Sequence, residues 1–145
     1  MPQPDPGPAT TTLLRTAYNA LSAAIYRHVA QAAGAGLRPA HGNALEMLAL
    51  HDGLRLTDIA AQAGMTTQSM GELVEDLVAK GYLRRHDDPA DRRAKRIYLT
   101  GKGRTTADAG TDANRKAEQQ IQAALGPRQY QQLRRNLAVI AQLDL

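Results

Sequence analysis

A chain of 145 residues is about one domain's length, and its 43% hydrophobic content excludes a disordered polymer. It has no Phe, no Trp and five Tyr, so Leu, Ala, Ile, Val and Met must build the core, which argues for packed helices and against an all-β enzyme. There is no cysteine, which removes disulfides, thiolate metal sites and thiol nucleophiles together. The net charge of +4 is concentrated: residues 84–104 hold eight cations and three acids, a local +5, and the rest of the chain is −1. On charge alone such a segment fits a polyanion-binding surface or a merely solvated hairpin.

Residues 1–10 open with prolines alternating with polar or small residues, which predicts a flexible extended arm with neither the basic nor the apolar region of a signal peptide. Leu14, Tyr18, Leu21, Ile25 and Val29 recur at helical spacing and predict a helix from about Thr12 to Ala33, ended by Gly34-Ala35-Gly36. Pro39 starts a second helix carrying Leu45, Leu48 and Ala49 and ending near His51-Asp52-Gly53. Leu54-Arg55-Leu56 suits a very short strand. Thr57 is placed to cap a short helix closed by Gly64, and a further helix starts at Thr66 or Thr67 and runs to Lys80, with Leu73, Val74 and Leu77 inward. Two helices joined by a tight glycine turn make a candidate helix-turn-helix.

Tyr82-Leu83-Arg84-Arg85-His86 and Arg96-Ile97-Tyr98-Leu99 suit strands around the turn sequence Asp88-Pro89-Ala90-Asp91. Thr100 is placed to cap a long polar helix from Gly101 to about Leu125. Gly126-Pro127 breaks it, and a last helix carries Tyr130, Leu133, Leu137 and Ile140 on one face. No run approaches the roughly 20 apolar residues of a membrane span, so the expectation is a soluble cytoplasmic protein with no membrane partner.

Leu56-Thr57-Asp58-Ile59-Ala60, Leu73-Val74, Leu77 and Lys80 to Arg85 lead into Asp88-Pro89-Ala90-Asp91-Arg92-Arg93-Ala94-Lys95, then Ile97-Tyr98-Leu99-Thr100 and Gly103-Arg104. A lone Asp-Pro carries no information, but this whole string at this spacing resembles the MarR family of winged helix-turn-helix regulators over Leu37 to Arg104. The resemblance implies a mainly α fold with a small β-hairpin as the wing. It also implies a division into an arm over 1–10, helical dimerisation segments over 11–36 and 101–145, and a DNA-binding lobe over 37–100. Double-stranded DNA and a second copy of the chain are the implied partners, and transcriptional repression at a palindromic operator is the implied role.

Short polar side chains at the start of a groove-entering helix can reach base edges and phosphates, and Thr66, Thr67, Gln68 and Ser69 fill that place, with Gln68 suited to an adenine edge. For Ser69 an equal reading is the capping box Ser69-x-x-Glu72. By resemblance, Arg93 enters the minor groove with Asp91 orienting its guanidinium, and Arg85, Arg92 and Lys95 touch phosphates or brace the hairpin. The alternative for Asp91 and Arg93 is a surface ion pair worth about 0–1 kcal/mol. Glu72, Glu75 and Asp76 make this helix acidic, and Gly71 is small where a contact residue could stand; Glu72 suits a cytosine amino group or an ion pair with Arg55.

The resemblance also implies release by a small molecule, phenolic or otherwise anionic, bound between the dimer helices and the lobe. Arg15, Tyr18, His28, His41 and Met47 are placed to border such a pocket, although the plainer reading of each is ordinary core or surface. Catalytic readings find no support: the four histidines lack metal-ligand spacing, Gly101-Lys102-Gly103 lacks the rest of a phosphate loop, and no cofactor is implied. The competing class is a winged-helix module for protein contacts that binds no operator.

Overall fold

The computed structural model describes residues 7–34 and 36–144. Along the chain run α1 (Thr10–Ala33), α2 (Pro39–Leu50), β1 (Leu54–Arg55), α3 (Leu56–Gln62), α4 (Thr67–Ala79), β2 (Leu83–Asp88), β3 (Asp91–Leu99) and α5 (Gly101–Ile140). Gly126, at φ 75 and ψ 162, lies outside helical geometry and interrupts α5, and Pro127 behind it cannot donate a backbone hydrogen bond. The chain divides into two compact units, Met1–Ala113 and Asn114–Leu145, with the boundary inside α5 ahead of that interruption.

The expected arm over residues 1–10 lies, for residues 1–6, outside the described residues, and Thr10 is already helical. Helix α1 starts earlier than its apolar spacing predicts because the Ala9 carbonyl accepts from the Thr12 and Leu13 N–H groups. Gly34 closes it as expected, and Ala35 lies outside the described residues. Of the α1 stripe only Val29 is buried, and Tyr18 is 63% exposed.

The hairpin gains a third strand. The sheet is antiparallel in the order β1-β3-β2, with Leu54 opposite Ile97 and Leu83 opposite Leu99. Both wing strands extend further towards the turn than their apolar ends predict, so that only Pro89 and Ala90 lie between them. Thr57 does not cap α3. Arg55, extended because it pairs with Arg96 in β1, occupies that position without a side-chain cap, and Thr57 falls inside the first turn.

The core of the first unit joins Ala44, Leu45 and Leu48 of α2, Ile59 and Ala60 of α3, and Met70, Val74 and Leu77 of α4 to Tyr82, Leu83, Ile97, Leu99 and Ala107. The Leu99-Thr100-x-x-Gly103-Arg104 string anchors this core to α5. Thr100 caps the helix: its Oγ1 accepts from Gly103 N–H at 3.0 Å and donates to the Gly81 carbonyl at 2.6 Å. Arg104 Nη2 lies 3.0 Å from Asp52 Oδ2, and Asp52 Oδ1 accepts from Leu99 N–H at 2.9 Å. Gly103 passes so close to the Tyr82 carbonyl that a Cβ would overlap it.

Replacing a helical glycine with alanine stabilises by up to about 1 kcal/mol through propensity, but a collision with backbone costs about 1–3 kcal/mol. Gly103→Ala is therefore expected to lower the urea unfolding midpoint. Gly101→Ala, where a Cβ meets nothing within 4 Å, should not lower it.

Candidate nucleic-acid interface

Helix α4 buries Met70, Leu73, Val74 and Leu77 and turns Gln68, Glu72, Glu75 and Ala79, spaced i, i+4, i+7 and i+11, to the opposite side. Its start is capped by Thr66, whose Oγ1 accepts from Ser69 N–H at 3.1 Å and donates to Ser69 Oγ at 2.9 Å. This overturns the capping box led by Ser69, which is the residue being capped, one turn into the structure. Thr67, Gln68 and Ser69 are exposed, and the Ser69 hydroxyl remains a donor. Gly71 is half-buried, with Leu56 3.6 Å from where its Cβ would stand, an ordinary contact distance, so it faces α3 and leaves no gap in an outward face.

Helix α4 is held from behind by His41, which is fully buried. Its Nδ1 accepts from Arg38 N–H at 2.9 Å, and its Nε2 lies 2.8 Å from Asp76 Oδ2. Burial pushes the imidazole pKa down, against the pull of Asp76. Lys80 also pairs with Asp76 and is the main cause that holds that carboxyl below its usual range.

The wing is organised by carboxylates. Asp88, with no solvent exposure, accepts from Ala90 N–H at 2.9 Å through Oδ1. Its Oδ2 takes Arg55 Nε at 2.8 Å and Nη2 at 2.7 Å, with Arg96 Nε 3.1 Å away. The Ala90 hydrogen bond, then the two guanidiniums, hold its pKa down at about 2 despite desolvation. Arg55 is thus committed to Asp88 and not to Glu72, which corrects that expected pair. Asp91 Oδ1 accepts from the backbone N–H of Arg93 at 3.0 Å. It fixes the main chain at the tip where an orientation of the guanidinium itself was expected, because a carboxylate two residues back in a turn reaches the N–H first.

Charge in the basic segment is almost entirely spoken for. Arg84 lies over Tyr98 and 3.0 Å from His86 Nε2, Arg85 is 3.8 Å from Glu75, and Lys95 pairs with its cross-strand partner Asp87. Arg96 also donates to the Gly53 carbonyl, Lys102 to the Lys80 carbonyl and Arg104 to Asp52. Among the described residues, Arg92 and Arg93 are the cations of this segment whose side chains have no such partner, and both are exposed at the wing tip.

The residues proposed to border a ligand pocket do not converge within one chain. Arg15 and Tyr18 are exposed on α1, and His28 lies about 20 Å further along the helix than Arg15, with its Nε2 3.8 Å from Asp112. His41 is the buried brace of α4, and Met47 packs against the core. A cavity of about 460 Å³ in the second unit is lined by Pro127, Arg128, Gln131, Gln132 and Arg135, and shares none of them.

A helix-turn-helix carrying a three-stranded wing defines a winged helix-turn-helix protein. The model of the MarR family matches residues 35–94, from before α2 into β3, so this lobe is similar to the MarR family. No curated protein matches the sequence. Solved structures do. A probable transcriptional regulator from Pseudomonas aeruginosa is 27% identical over 90% of this chain and 96% of its own, with a TM-score of 0.75. The transcriptional repressor CouR, bound to a 23-mer DNA duplex, is 25% identical over 97% of this chain and 100% of its own, at 0.79. The DNA complex of MepR from Staphylococcus aureus, 24% identical over 92% and 96%, shares the fold at 0.80. No helix among the described residues is long and apolar enough to cross a membrane.

The depressed Asp88 pKa has a definite sign. Its contribution to stability is complete above the unfolded carboxyl value of about 3.9 and is lost as pH falls towards about 2. Asp88→Asn should therefore be less stable than the parent at pH 7, with the gap in urea midpoint closing between about pH 4 and 2.

Proposed function

We propose that this protein is a DNA-binding transcriptional regulator that acts as a homodimeric repressor on a palindromic operator. The observation that carries this reading is the pair Arg92 and Arg93, unpaired among the described residues and exposed on a tip whose backbone Asp88 and Asp91 fix. Keeping two exposed guanidiniums side by side without an acidic partner is unfavourable in isolation and favourable beside a polyanion. The DNA-bound CouR structure, similar over nearly the whole chain, supports the same role.

In this reading Thr67, Gln68 and Ser69 at the start of α4 meet the major groove, and Arg93 enters the flanking minor groove. Thr66 contributes as the cap that orders that helix start. Arg92 contacts phosphate, whereas Arg85 and Lys95, already facing Glu75 and Asp87, serve the hairpin first and the DNA second. Helix α1 and the helices after Gly101 pair with those of a second copy, a role supported by exposed Leu13, Tyr18, Leu133, Leu137 and Ile140. The division into arm, dimerisation helices and DNA-binding lobe rests on this pairing. The protein acts in the cytoplasm by binding, without turnover, and a small anionic effector that separates it from the operator completes the scheme.

Footprinting on the DNA upstream of its own gene across a salt series should show a protected site whose affinity falls steeply with log salt. Sedimentation should give a dimer. Arg93→Ala is expected to weaken operator binding by about 1–3 kcal/mol. Absence of a footprint at low salt, or a stable monomer, would sink the proposal in favour of a protein-contact module.

A further inference from the structure

The acids of α4 are not equivalent. Asp76 is engaged by His41 and Lys80, and Glu75 lies 3.8 Å from Arg85. Glu72 is exposed and has no hydrogen bond or ion pair among the described residues. The cation that sequence pairing would give it, Arg55, is held by the buried Asp88. Glu72 sits one turn beyond Gln68 on the face opposite Met70, Leu73, Val74 and Leu77, and its neighbour Gly71 leans on Leu56 and presents no side chain of its own. The face offered to a groove is therefore Gln68 followed by the unpaired carboxylate of Glu72, with Glu75 beyond it drawn towards Arg85.

A carboxylate accepts hydrogen bonds and repels phosphate, so it is tolerated in a major groove only opposite a donor. The groove offers two, the N4 amino group of cytosine and the N6 amino group of adenine. Beside the adenine amino group lies N7, an acceptor that repels a carboxylate. Beside the cytosine amino group on the same base lies an apolar C5–H edge. Resting on the operator reading above, we propose that Glu72 is a specificity-determining residue that accepts from a cytosine N4 amino group in each operator half-site, next to the base pair met by Gln68. Its contribution is discrimination: every other base at that position leaves a desolvated carboxylate facing an acceptor, a methyl group or a poorer donor.

The test is selection of binding sites from a random duplex pool by the full-length protein and by Glu72→Ala and Glu72→Gln. Glu72 makes no described contact, so both variants should keep the parent's unfolding midpoint. The parent should fix a C·G pair at one position per half-site. Glu72→Ala should lose the preference there alone, a discrimination of roughly 5- to 150-fold, and Glu72→Gln should move it to adenine, which presents a matching donor and acceptor to an amide. An unchanged consensus, with Glu72→Ala binding every sequence equally more tightly, would overturn the proposal and leave Glu72 as a repulsive charge. If the parent enriches no sequence at all, the operator reading fails and this inference falls with it.

Discussion

A carboxylate without access to water has to be satisfied by the protein around it, and Asp88 draws its partners from three places at once. The turn supplies Ala90 N–H, the edge strand β1 supplies Arg55, and the central strand β3 supplies Arg96. Arg55 is also the residue at which β1 becomes α3. One buried group therefore ties the turn of the wing, the three-stranded sheet and the entry to the helix-turn-helix into a single body. The distance from α4 to the wing tip, on which contact with two grooves would depend in the proposed reading, is set by this tie together with the core that α4 shares with Leu83 and Ile97.

Tip and tie divide the labour within one motif. In Asp88-Pro89-Ala90-Asp91-Arg92-Arg93 the first aspartate is buried and joins elements distant in sequence. The second is exposed and bonds only the backbone two residues ahead. The same division recurs after β3: Thr100, Gly103 and Arg104 make no outward face, and act by capping α5, admitting the Tyr82 carbonyl and gripping Asp52. A string specific enough to carry a family resemblance is thus mostly a string of fold-holding contacts, with the remaining positions exposed.

This explains what was legible in the sequence. Elements defined by local rules were readable: the α4 start at Thr66, the Thr100 cap, the break at Gly126-Pro127 and the hairpin with its turn all depend on neighbours within four residues or on alternation. The exposed tip arginines were readable for the same reason. Partners assigned across longer separations were not. Arg55 looks like a mate for Glu72 until β1 pairs with β3 and brings it to Asp88, 33 residues away. His41 looks like a pocket residue until burial places it against Asp76, 35 residues away. Those assignments are fixed by topology, which no local spacing encodes.

Topology also changes the meaning of the charge count. A local excess of +5 over residues 84–104 suggests a broad basic patch, but Arg84, Arg85, Lys95, Arg96, Lys102 and Arg104 are each occupied by an aromatic ring, a carbonyl or an acid. The exposed ion pairs Arg85–Glu75 and Lys95–Asp87 are screened and weak, so they dampen the field more than they lock the structure. Among the described residues the cations without a partner are Arg92 and Arg93 at the tip, while the adjoining face of α4 is neutral at Gln68 and negative at Glu72 and Glu75. In the proposed reading, attraction to a phosphate backbone and selection among base edges therefore fall to different elements, the first to the wing and the second to the helix. A helix that adds little electrostatic affinity adds little to binding at random sequence, so what it contributes is felt mainly at the matching site.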